Sequence, residues 1–101
     1  MNSPAQELPI PPSATGDLQA REMLRAWIAK EGLHCSLNIG VWGEDEAVVW
    51  GILLSDVARH VANALHDDRG LPLEETLGKI REHFNSELDS PTEEASTGPM
   101  A

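Results

Sequence analysis

The hydrophobic pattern of this chain changes period near residue 40, and that change constrains its fold more than any motif does. Leu33, Cys35, Leu37 and Ile39 alternate with His34, Ser36 and Asn38, the pattern of a strand with one buried face. Farther along, apolar residues recur at helical spacing from Trp50 to Leu65 and from Leu73 to Leu88. A strand must satisfy its backbone N–H and C=O groups, so some other segment has to pair with it.

The nearest segment is ambiguous. Ala20, Met23, Leu24, Trp27 and Ile28 fall at helical spacing, with Gly32 as a terminator. The same residues can instead form a strand over residues 22 to 30 that folds back through Lys30, Glu31 and Gly32, with the glycine supplying positive φ. Pairing favours the hairpin and local propensity favours the helix. In the hairpin, Leu24, Ala26 and Ile28 share one face, while Met23 and Trp27 leave an apolar patch on the other that needs a cover.

The helical part is plainer. Glu44, Asp45 and Glu46 suit a helix start, where carboxylates meet the positive end of the macrodipole. Trp50, Leu53, Leu54, Val57, Ala58, Val61, Ala64 and Leu65 form one broad stripe, opposite Ser55, Asp56, Arg59, His60 and Asn63. Gly70 ends this helix and Pro72 can start the next. Leu73, Leu77, Ile80, Phe84 and Leu88 make a narrow seam for a facing helix, and Gly78 beside it allows a close backbone approach.

The ends carry no such pattern. Residues 1–16 hold four prolines, including Pro9, Pro11 and Pro12, and are expected to form a disordered tail in which Leu8 and Ile10 pack back onto the domain. Residues 90–101 are small, acidic and proline-punctuated, so they are also expected to be disordered. What remains is one α+β domain over residues 17–89, a small β-hairpin followed by two antiparallel helices.

A domain of that size buries only about 60% of its unfolded surface, so oligomerisation is an expected source of further burial. A single cysteine excludes an internal disulfide. The unpaired edges of a two-stranded ribbon point the same way, to a homodimer. Seventeen acidic residues against seven basic ones give a net charge of -10, which repels nucleic acid and anionic membranes. Residues 33 to 39 contain no arginine or lysine, as a nucleic-acid-reading strand would require. No stretch approaches the roughly 20 apolar residues of a membrane span, and the single unpaired cysteine fits a cytoplasmic location.

No spacing of residues specifies catalytic, cofactor or metal chemistry, and no cofactor is expected. His34 and Cys35 are strand neighbours that point to opposite faces, so they cannot form a dyad; Cys35 reads as core. Asp56 and His60, four apart with Arg59 and Asn63 nearby, are the best polar cluster. As an enzyme site, Asp56 would orient His60 as a base, in a small-molecule or metal-assisted reaction. As a contact surface for a protein partner, either this cluster or Trp42 in its glycine-flanked loop would serve. His83 and Glu87 repeat the spacing beside Glu82, and His66 with Asp67 and Asp68 reads as solvated helix punctuation.

The block Ile28-Ala29-Lys30-Glu31-Gly32-Leu33-His34-Cys35-Ser36-Leu37, followed by the run Trp50 to Ala62, resembles a family of short uncharacterised alpha-proteobacterial proteins over roughly residues 8 to 90. The resemblance implies the hairpin reading, because members of that family carry more β-branched residues in the first segment and a glycine-rich turn. It implies no activity, cofactor or site residue. The reading that follows is a small acidic cytoplasmic protein, more plausibly an interaction module than an enzyme.

Overall fold

The computed structural model of the protein describes residues 5–92. A single helical turn, α1 (Pro12–Thr15), precedes a two-stranded antiparallel sheet of β1 (Leu24–Ala29) and β2 (Gly32–Leu37). A 3-10 turn (Gly43–Asp45) then leads into the long helix α2 (Glu46–Arg69), which a short loop joins to α3 (Leu73–Asp89). This is the expected α+β order, a hairpin followed by two helices.

Residues 24 to 29 are strand despite their helical spacing. The paired register runs from Leu24↔Leu37 to Ala29↔Gly32, so β2 gains backbone partners along one edge that a helix could not offer. Leu24, Ala26 and Ile28 lie opposite Leu37, Cys35 and Leu33, making one wholly apolar face. The turn differs from expectation in one respect. Lys30 and Glu31, with φ of 48° and 63°, take the two left-handed positions of a type I′ turn, and Gly32 is simply the first residue of β2. A two-residue loop fixes which positions need positive φ, and in this register glycine falls one place too late.

Gly70, at φ 71°, takes the left-handed cap position of α2, and its N–H donates to the His66 carbonyl. Across the loop, His66 Nδ1–H donates to the Leu71 carbonyl at 2.8 Å, clasping the junction of the helices. Pro72 stands at the N-cap of α3, where its missing N–H costs nothing.

The tertiary core is small. Among the described residues only Ala62 on α2, 2% exposed, and Thr76 on α3 are buried, and both lie near the α2–α3 junction. Leu77 and Ile80 on the α3 seam and Leu65 on the α2 stripe are half-buried there. Other stripe residues are exposed, namely Leu54, Val57 and Val61 on α2 and Phe84 and Leu88 on α3, while Trp50, Leu53 and Ala58 are half-buried. Leu73, at the start of the seam, is 40% exposed as well, so the seam is partly covered only at Leu77 and Ile80. Gly78 makes no close approach either, since a Cβ added there would meet nothing within 4 Å.

The N-terminal segment also departs from expectation. Residues 1–4 and 93–101 lie outside the described residues, so the expected tails are only partly in view. Leu8 and Ile10 are 87% and 64% exposed rather than packed on the domain. The segment is held by charge instead, because Arg25 on β1 pairs with Glu7 and with Glu22, each at 2.8 Å.

Candidate functional site

Asp56, Arg59, His60 and Asn63 project from one side of α2, since steps of three and four residues return to the same face of a helix. All four are exposed. Among the described residues none of them hydrogen-bonds or ion-pairs with another, so the expected orientation of His60 by Asp56 is not made. The face is a set of separate donors and acceptors open to solvent.

Trp42, in the loop before α2, is half-buried. Its ring meets Trp50 edge to face, with centroids 5.9 Å apart and planes inclined by 75°. The joint that holds it is Glu46. This carboxylate accepts the Gly40 N–H at 2.9 Å and the Trp50 indole N–H at 3.0 Å, tying the end of the hairpin linker to the first turn of α2. Those two donors, Gly40 first, hold the Glu46 carboxyl below its usual range. Sequence reasoning missed this residue. Its signal was a glutamate one turn before a tryptophan on the same helix face, with glycines flanking a second tryptophan upstream.

Three other titratable residues have local duties. His34 Nε2–H donates to the Ala29 carbonyl at 3.0 Å, across the hairpin from its own strand. His83 Nδ1–H donates to the Lys79 carbonyl at 3.0 Å. Glu87 accepts both the hydroxyl and the backbone N–H of Thr92, which lowers its pKa. Cys35 is half-buried on the apolar hairpin face. Among the described residues no group of three or more histidine, cysteine or carboxylate side chains converges as a metal site requires. No described helix is long and apolar enough to cross a membrane.

An open cleft of about 600 Å³ lies between the N-terminal segment and the hairpin, lined by Leu8, Pro9 and Ile10 on one side and Leu24, Ala26 and Trp27 on the other. A shallower groove on α3 is lined by Ile80, His83, Phe84, Glu87 and Leu88.

No functionally curated protein matches the chain. Among solved structures it is similar to one described as a "putative pyruvate dehydrogenase from the photosynthetic bacterium Rhodopseudomonas palustrus CGA009". The two are 36% identical over 94% of each chain, with a TM-score of 0.65. The family match spans both strands and both long helices, residues 7–92, and by it the chain belongs to the family named Domain of unknown function (DUF5076).

Proposed function

We propose that the protein is a non-enzymatic protein–protein interaction module, with the α2 face of Asp56, Arg59, His60 and Asn63 as the surface it offers to a partner. The observation that carries this reading is the exposure of all four side chains on one side of α2, where among the described residues none is engaged with another. The enzyme reading has less support, because its two central residues, Asp56 and His60, form no hydrogen bond and stand on an open helix face.

The test is capture of a tagged chain from a native bacterial lysate at physiological salt, beside an Arg59→Glu, His60→Glu double variant. Both positions are exposed, so the fold should survive the change. The expected result is a stoichiometric partner retained by the wild type and lost by the variant. Identical recoveries from both would remove this surface as the contact site.

A further inference from the structure

A two-residue turn that closes on Ala29↔Gly32 makes that pair a hydrogen-bonded one, and such pairs recur at every second position of an antiparallel ladder. Arg25 and Trp27 therefore turn their backbone groups toward β2. So does Met23, whose carbonyl accepts the Asn38 N–H at 3.0 Å. Leu24, Ala26 and Ile28 turn theirs the other way, along the free edge of β1, where no other backbone group among the described residues meets them.

The open cleft of about 600 Å³ runs beside this edge. From the sheet its lining takes the consecutive residues Leu24 to Trp27 and none of β2, as a groove alongside a strand does and a groove over a sheet face does not. Its far wall is the segment 6–11, and one contact spans the gap: the Glu7 carboxylate pairs with Arg25 at 2.8 Å.

We infer that this segment is a strap that closes onto the free edge of β1 as a third, antiparallel strand. The register follows from the ion pair and the prolines. With Glu7 opposite Arg25, Leu8 falls opposite Leu24 and Gln6 opposite Ala26, the positions whose N–H and C=O groups are free. Gln6 and Leu8 both carry an N–H, while Pro9 and Pro11 fall where the nitrogen faces away from the sheet, the place an edge strand allows them. A slip of one residue would aim Pro9 at the ladder. A parallel strand with Glu7 beside Arg25 would do the same, because the facing positions then have the parity of Glu7, Pro9 and Pro11. Closure also carries the Leu8 side chain, 87% exposed in the open strap, to the apolar hairpin face beside Leu24. Pro9 then lies along the new outer edge, which cannot add a strand as the bare edge of β1 can. The strap is a device of the hairpin and does not depend on the polar α2 face as a contact surface.

The test is amide exchange and NOE spectroscopy on the whole chain labelled with nitrogen-15. The Leu24 and Ala26 amides should exchange about tenfold or more slowly than those of an unstructured chain. An NOE should join the Leu8 and Leu24 amide protons, and another the Glu7 and Arg25 α protons. Leu8→Pro, which removes a ladder N–H, should return both amides to fast exchange, whereas Pro9→Ala should leave them slow. The Trp27 amide, bonded to His34 within the hairpin, should stay slow in every variant and so reports that the fold is intact. Fast exchange at Leu24 and Ala26 in the native chain overturns the strap, and so does slow exchange that Leu8→Pro leaves unchanged while the Trp27 amide remains slow.

Discussion

The two ends of the helical pair obey different rules. At the loop, Ala62 and Thr76 are buried, His66 clasps the Leu71 carbonyl and Gly70 caps α2. Two turns beyond, the same stripes carry Val57 and Phe84 in the open, and on the hairpin Ile28 is 82% exposed. The junction is a structure the chain completes by itself, because its partners are adjacent in sequence and a short loop brings them together at little entropic cost. The far ends have equally apolar residues but no chain left to cover them. Apolar composition and burial are therefore separate properties here, and a substitution should reveal which region it falls in.

The sharpest test is Ala62→Asp. An unpaired carboxylate at the most buried described site should cost on the order of 3 kcal/mol or more in urea unfolding followed by circular dichroism. A loss below about 1 kcal/mol would mean that the junction is not what holds the helices together. The next comparison lies along α3. Leu77→Ala, near the junction, should cost about 2 kcal/mol, whereas Leu88→Ala, 68% exposed, should cost under about 0.5 kcal/mol in a single chain. An equal loss at Leu88 would show that something outside the chain covers it.

The turn offers a gain instead. Glu31→Gly should stabilise the hairpin by about 1 kcal/mol, since a residue with a Cβ holds φ 63° there at a cost that glycine avoids. Amide hydrogen exchange across the Trp27↔His34 pair would measure it.

The smallest effect is expected at Glu46. Its pKa is lowered from 4.5, so its contribution is complete above that pH and is lost as the pH falls through the lower folded value. Tryptophan fluorescence should then report acid loosening of the Trp42–Trp50 contact that Glu46→Gln makes pH-independent. An identical acid profile in both proteins would separate the contact from the carboxylate.

Much of this was legible in residue order. The switch from period two to helical spacing located β2, α2 and α3, and Gly70 and Pro72 marked the loop between helices. β1 was legible only through the need of β2 for hydrogen bonds, because its own spacing suits either state. Two expectations fail for one reason. Residue type places Leu8 and Ile10 in the core and gives Gly78 a close approach, whereas the placement of other segments decides both. Glu46 shows the same limit: a carboxylate that reads as macrodipole decoration also serves as the anchor for Gly40, six residues upstream. For the polar face, the spacing of Asp56 and His60 correctly placed them on one side of α2, but spacing alone does not make a hydrogen bond.

The short reach of the internal contacts also has a kinetic meaning. β1 and β2 meet across a two-residue turn, and α2 and α3 across three residues, so no long loop has to close before either unit forms. Such elements assemble in microseconds, as hairpins do in about 1–10 μs. The slow event is then the meeting of finished pieces. If the finished pieces belong to two chains, the time to reach the native state shortens as the protein becomes more concentrated, and newly made chains spend their earliest moments with Ile28, Val57 and Phe84 facing water.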